Sequence, residues 1–398
     1  MGVVSFLNDL SSDMIFPLIP IFLTSVLGAS LTFVGVIEGV ADATSSILKI
    51  ASGWLSDRWG RRKFLVVAGY SFSALSKPLL ALATMPAHAL GVRFLDRVGK
   101  GVREAPRDAL ISFSTPRPLL ARAFGFHRAL DTLGASLGPL VAFAVLPLIH
   151  QNYRTLFLLS FIASFLAVLI LIFFVREVRT DGSAASKIRE RPMLTDIRPN
   201  PPAIPQEPGR PWARLGLPFF LFLAVASIAS LGKASEAFLI LRAREVGIAV
   251  ALVPILYFVY SLTLAILATP LGVVADRVGK RNTFAAGLLV FSVAYFGFAF
   301  ADSARMVWFL FIIYGLYAAL TEGVGRAIVA ALVPSEIRST AFGIYNASVG
   351  LALLPASVVF GYFNQHFGSR IAFSYGAALA LAAALGFLFL RKFLEAER

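Results

Sequence analysis

The stretch RFLDRVGKGVREAPRDALI, residues 93–111, carries eight charged side chains in nineteen positions between long apolar runs. At helical spacing Arg93, Arg97, Lys100 and Glu104 share one face. Glu38, Asp42, Ser45 and Lys49 make a second polar stripe, and Asp9 and Asp13 stack one turn apart. Carboxylates set among guanidinium and ammonium groups can do one kind of chemistry well. Burial opposes the carboxylate's charge and a neighbouring cation supports it, so a small rearrangement exchanges the ionic partner for a proton or a charged ligand.

The cost of such groups depends on where they lie. At membrane depth each costs roughly 2.5–3.5 kcal/mol on insertion scales, and they persist where they pair or face a water-filled path. Counting along helices puts Asp13, Asp42, Asp96, Arg97, Arg128 and Asp131 near the middle of their spans. The first half holds eight such acids: Asp9, Asp13, Glu38, Asp42, Asp96, Glu104, Asp108 and Asp131. Against them stand seven bases, Lys49, Arg93, Arg97, Lys100, Arg103, Arg107 and Arg128, with His127 besides. The near balance favours mutual pairing, and structural ion pairs that fasten a bundle are the plainest reading of any one residue. For the whole set that reading is weaker, because apolar residues would fasten helices without the desolvation cost. Asp9, Asp13, Glu38, Asp42, Arg93, Arg97, Lys100, Arg128 and Asp131 are therefore the candidates for proton coupling or substrate contact. The second half is more apolar, with Lys233, Glu236, Glu322 and Arg326 as its intramembrane charges.

The elements that must position these groups are membrane helices. Of 398 residues 58% are hydrophobic and only 15% charged, with mean hydropathy +0.79. A soluble chain of this size is normally about a quarter charged, so lipid is the solvent this composition needs. A net charge of +14 could suit a nucleic-acid binder, but the basic residues are scattered through short loops, as membrane topology requires. Cysteine is absent, which excludes disulfides and thiolate metal sites, and the four histidines (His88, His127, His150, His366) are dispersed. No metal-binding cluster, phosphate-cradling loop or nucleophile motif stands out, so no cofactor and no enzymatic activity are expected. The first residues lack a basic leader and read as a spanning helix rather than a signal peptide. The chain begins so close to that helix that the native start is expected upstream.

Twelve spans can be drawn: 3–27, 32–57, 64–84, 86–112, 119–149, 155–176, 214–241, 249–275, 282–301, 306–332, 338–364 and 369–391. They divide into an N-terminal six-helix bundle (1–176) and a C-terminal one (214–398). Between them lies a proline-dense linker, 177–213, whose RPNPPAIPQEPGRP cannot continue a helix. The halves repeat: GWLSDRWGRRK at 53–63 returns as GVVADRVGKRN at 272–282, and AFG at 123–125 returns at 341–343. Two matches at nearly one offset imply duplicated bundles, an arrangement typical of secondary transporters. Arg58, Arg61, Arg62 and Lys63, their counterparts Arg277, Lys280 and Arg281, and the basic linker fall on one side, so both termini are expected in the cytoplasm. If 93–111 were a loop, every later span would invert and the two motif copies would face opposite sides. The charged stretch must be the fourth helix.

Twelve spans, a six-plus-six repeat and GWLSDRWGRRK resemble the major facilitator superfamily over essentially the whole chain. Its loop motif is matched by Gly53, Leu55, Asp57, Arg58, Gly60, Arg61 and Arg62, and more weakly by Gly272, Asp276, Arg277, Gly279, Lys280 and Arg281. The resemblance implies a latch between the bundles at these residues, without substrate contact. Arg97 and Gly101 match the family's R-x-x-x-G signature in helix 4, with Lys100 where glutamine is common. DMIFP at 13–17 is similar to helix 1 of multidrug/proton antiporters, which implies a coupling role for Asp13. VPSEIRSTAFG at 333–343 is similar to the family's segment joining helices 10 and 11. By the same resemblance helices 1, 4, 7 and 10 line the path, with Tyr257, Tyr314 and Tyr345 as possible contributors.

The expectation is an alternating-access secondary transporter, an all-α membrane protein and a monomer in a prokaryotic cytoplasmic membrane. It exports a small amphiphilic or anionic organic compound, coupled to protons. The alternatives are uptake of an organic anion or metal chelate bound by Arg93, Arg97 and Lys100, or a receptor or scaffold that binds without transporting.

Overall fold

The computed structural model describes residues 1–59, 61–115, 120–177, 215–333 and 337–395, with backbone alone at 50, 53, 54, 57, 113, 120–125, 338–340 and 390–395. Among them twelve long helices follow one another. They are α1 (Gly2–Val26), α2 (Leu31–Trp59), α3 (Arg62–Ala81), α4 (Pro86–Phe113), α5 (Leu120–Leu148) and α6 (Tyr153–Phe174). After residues 178–214 come α7 (Leu217–Glu245), α8 (Val250–Val278), α9 (Lys280–Ala299), α10 (Ala304–Leu332), α11 (Arg338–Phe367) and α12 (Ser369–Glu395). Each limit lies within four residues of its sequence-based expectation. Gly60, and the linker 177–213 apart from Glu177, lie outside the described residues.

Eleven of the twelve are long and apolar enough to span a membrane. The exception is α4, whose charges lower its apolarity. It nevertheless runs unbroken over 28 residues beside α2 and α3. Two glycines seat it there. A Cβ at Gly99 would meet the Gly69 carbonyl of α3, and one at Gly101 would meet Leu48 of α2, so backbones approach where side chains are missing.

Two helices depart from the regular spans expected. Pro17 and Pro20 each lack the N–H that would close a helical turn, and α1 passes through a 3₁₀ turn at Phe16–Leu18 and a π turn at Phe22–Val26. Pro17 leaves the Asp13 carbonyl without its usual donor, beside the Asp13 carboxylate. In α7 residues 233–235 are not helical, and Ser235 caps a second segment, Glu236–Glu245, by accepting from the Ala237 amide.

The apolar core is divided unevenly between the two faces of the bundle. At the face away from the termini one continuous cluster joins both halves, running from Ile19 and Phe22 through Phe157 to Phe238, Phe298 and Phe373. Towards the termini the halves have separate cores, one around Tyr70 and Leu171 and one around Phe222, Phe284 and Phe387. Between those two cores lies a vestibule of about 1290 Å³, lined by α5, α8 and α10. The molecule is sealed at one face and open at the face that carries its termini.

Candidate functional site

Deep to the vestibule is a second cavity of about 290 Å³. Asp9 and Asp13 reach it from α1, Asp42 from α2, Lys77 from α3, and Arg93, Asp96, Arg97, Lys100 and Arg103 from α4. The C-terminal half contributes Glu236 and Tyr257. Asp9 and Lys100 also line the vestibule, so they stand at the boundary between the two spaces.

The charges are not equivalent. Arg93 holds Glu38 with a forked contact, Nη2 lying 2.8 Å and 3.0 Å from the two carboxylate oxygens. Both residues are buried, at 5% and 2% exposure. The Ser235 hydroxyl also lies 3.4 Å from Glu38, which ties the ion pair to the broken segment of α7 and so to the other half. Lys49 pairs with Glu104 at 2.8 Å. Both pairs join α2 to α4 within the first half.

Arg97 behaves differently. It lines the cavity, and its Nε is buried with no hydrogen-bond partner among the described residues. Lys77, 1% exposed, gives one hydrogen bond to the Ser73 carbonyl at 2.8 Å and has two further ammonium protons towards the cavity. Arg103 is held by the Ser73 hydroxyl at 2.6 Å and by the face of Tyr70, 4.5 Å away. The wall built by α3 and α4 can therefore receive an anion with guanidinium and ammonium donors. Asp96 shares that wall, 3.7 Å from Arg93, and Asp13, Asp42 and Glu236 line the cavity from α1, α2 and α7.

The structure divides the candidate residues between the two spaces. Arg128 does not reach this cavity; its side chain is 77% exposed, lines the vestibule and pairs with Asp131 at 3.1 Å. Its turn of α5 faces the open space, which counting along a helix does not reveal. Asp131 likewise lines the vestibule, while Glu38 is sequestered by Arg93 outside the cavity lining. Of the three tyrosines only Tyr257 lines the cavity. Tyr314 is packed among Tyr260, Tyr295 and Tyr317, and Tyr345 stacks on Phe222. Lys77 was missed. Its signal was a lone cation in the apolar run SALSKPLLAL, which adds an eighth base to the eight acids.

The loop motif stands at the terminal face. Gly279, with φ +103°, makes the turn between α8 and α9 that a side chain would strain. Gly272, Asp276 and Lys280 line the vestibule, with Asp276 and Lys280 3.9 Å apart. In the first copy Arg62 is buried in the first turn of α3 and Arg58 and Arg61 are exposed, while Gly53 and Asp57 are placed by backbone alone.

A model of the major facilitator superfamily matches residues 1–241 and 221–397. The chain belongs to that superfamily. It is therefore a transporter and not an enzyme. It is 35% identical over 396 residues to an uncharacterized MFS-type transporter of Methanocaldococcus jannaschii, covering 98% of this chain and 94% of that one. It is 26% identical over 341 residues to the cis,cis-muconate transport protein of Acinetobacter baylyi, covering 82% and 78%. Likeness to a multidrug resistance efflux pump of Streptococcus pneumoniae is confined to 36% of the chain, so the kinship expected with multidrug antiporters is only distant and partial. In fold it is similar to the nucleoside transporter NupG, with a TM-score of 0.77 over 98% of both chains at 14% identity.

Proposed function

We propose that this superfamily member carries a small organic anion across the membrane together with a proton. The observation that carries the reading is the buried Arg97 Nε without a partner, in a cavity that Lys77 and Lys100 also line. That cavity, about 290 Å³, is at the small end of ligand pockets, which run from about 300 to 1,000 Å³. The ligand is thus a compact carboxylate rather than a drug-sized molecule. The similarity to a muconate transport protein supports a dicarboxylate as the first probe.

The geometry also supports one sign of coupling. Asp13 shares the cavity with Arg97 and Lys100. An anion that engages those cations takes their compensation away from Asp13, whose buried charge then becomes costly. Asp13 answers by taking a proton. Anion and proton occupy the site together and cross in the same direction, so an inward proton gradient drives uptake. Export, the direction expected from DMIFP, would instead follow for a cationic amphiphile that displaces a proton from the acids Asp13, Asp42 and Glu236.

The reading includes a monomer in a prokaryotic cytoplasmic membrane, with the termini and the open vestibule inside. The orientation is supported by the basic residues of both motif copies, which lie at that face. The test is purified protein in liposomes with an internal pH dye and labelled cis,cis-muconate outside. Inward muconate flux with inward proton flux is expected. Asp13→Asn should leave anion exchange intact and abolish proton movement, and Arg97→Gln should weaken muconate binding at every pH. Protons moving against muconate would make the protein an exporter, and muconate flux without protons would remove them as the coupling ion.

A further inference from the structure

The vestibule has charged walls on both sides. Asp9, Lys100, Arg128 and Asp131 face it from the N-terminal half, and Asp276, Lys280, Glu322 and Arg326 from the C-terminal half. The two walls differ in how their charges are held. The offset between the motif copies sets Glu322 and Arg326 of α10 against residues 103–108 of α4. Each charge in that stretch of α4 has a partner within its own half. Arg103 is held by Ser73, Glu104 by Lys49, and Arg107 by Asp108 at 3.0 Å and Asp131 at 3.9 Å. Glu322 and Arg326 are exposed, and neither makes an ion pair within 4.0 Å or a hydrogen bond among the described residues.

Charges at membrane depth persist where they pair or face water. In the open vestibule Glu322 faces water. A transporter that alternates must close this space, and closure has to replace that water with a cation. Depth selects which one. Counting 1.5 Å per residue from the terminal face, Glu322 lies about 15 Å in along α10 and Arg128 about 12 Å in along α5. Lys100 is deeper, about 20 Å in along α4, and also belongs to the charged cavity. Lys280 is in the same half as Glu322 and lies 3.9 Å from Asp276. Arg128 is the most exposed of the four N-terminal charges, at 77%, although its guanidinium contacts Asp131 at 3.1 Å.

We propose that Arg128 and Glu322 form an ionic latch between the halves when the vestibule closes. Arg128 keeps Asp131 and gains Glu322, which has Arg326 one turn away. Asp131, Arg128, Glu322 and Arg326 then make a chain of alternating sign across the closed space. In the open arrangement Arg128 and Glu322 stand apart on opposite walls, so the pair stabilises only the closed one. The inference rests on alternation between the two arrangements, and not on the substrate or the coupling ion.

The closed vestibule can be read from the other face, in the full-length protein and without substrate. Ser357 of α11 is fully buried where Gly35 of α2 abuts its carbonyl. Ser357→Cys, nearly isosteric, is therefore shielded in this arrangement and reacts with a water-soluble maleimide only when the outer seal parts. Adding Glu322→Gln or Arg128→Gln is expected to slow that reaction severalfold, and adding both should slow it no further than either alone. Arg128→Lys, which keeps the charge, should react nearly as the parent does. A misfolded variant would react faster, so loss of structure cannot imitate the result. Labelling that does not slow in Glu322→Gln, or slowing that multiplies when both are changed, overturns the proposal. Either result leaves the carrier reading to the liposome experiment, which decides it separately.

Discussion

The two halves share a scaffold and a repeated loop motif, yet they fill their interiors with opposite materials. The N-terminal half buries acids and bases side by side. The C-terminal half places an aromatic cluster, Tyr260, Phe291, Tyr295, Tyr314 and Tyr317, beside the pair Lys233–Glu236. Aromatic packing gives shape and rigidity at small electrostatic cost. Buried charge gives a site that can exist in two ionic arrangements, at a large cost when a partner is lost. The two copies of one scaffold thus carry buried charge in one half and aromatic packing in the other.

That division is broken most severely at Glu38. Glu38→Gln leaves buried Arg93 only its longer contact to Asp96 at 3.7 Å, and loss of one partner from a buried pair costs up to about 3–5 kcal/mol. The thermal unfolding midpoint in detergent should fall sharply, and the double variant Glu38→Gln/Arg93→Met should recover most of the loss. The matching change in the other half, Tyr314→Phe, removes one 3.4 Å hydrogen bond to Glu236 and should cost about 0.5–1.5 kcal/mol. Equal losses in the two halves would contradict the comparison.

The next effect is on affinity. Lys77→Met keeps the length and apolar stem of the side chain and removes the ammonium. A hydrogen bond to a charged group contributes about 1.5–3 kcal/mol, roughly a ten- to hundredfold change in the muconate dissociation constant. Calorimetry on the purified protein would measure it. Tyr257→Phe takes a hydroxyl from the same cavity and should weaken binding only a few-fold, while Tyr314→Phe and Tyr345→Phe, which do not reach the cavity, should not change it.

How far these differences could be read from residues alone follows from what each signal encodes. That α4 crosses the membrane was legible because alternation of sides and the repeat constrain it from outside its own composition. That Arg97 and Lys100 face one cavity from α4 was legible, because spacing along a helix fixes which residues share a face. Spacing does not say what that face meets. Arg128 and Asp131 share a turn of α5 that opens into the vestibule rather than the charged cavity, and Tyr314 turns into the aromatic cluster. Lys77 forms no stripe with other charges on α3, so periodicity passed over it. The break in α7 did leave a trace, since Ser235 followed by Glu236 is a helix-start signal inside an apolar run. Apolarity alone made that segment read as one span.

The smallest effect on stability should fall in the loop motif, and there stability and function separate. Asp276 is 72% exposed and lies 3.9 Å from Lys280, a geometry typical of surface pairs that contribute about 0–1 kcal/mol. Asp276→Asn should leave the unfolding midpoint nearly unchanged. Its place on the vestibule wall, however, means that it changes surroundings completely when that space closes. If the motif latches the closed arrangement, as the resemblance implies, the variant shifts the population towards the open vestibule. The chain has no cysteine, so a single reporter can be added without background. Ala327→Cys, on the vestibule wall, should react with a water-soluble maleimide at a measurable rate, and a few-fold faster once Asp276→Asn is added. Labelling that slows would show that the aspartate holds the vestibule open, and labelling that does not change would make the second motif copy a topological signal with no part in gating.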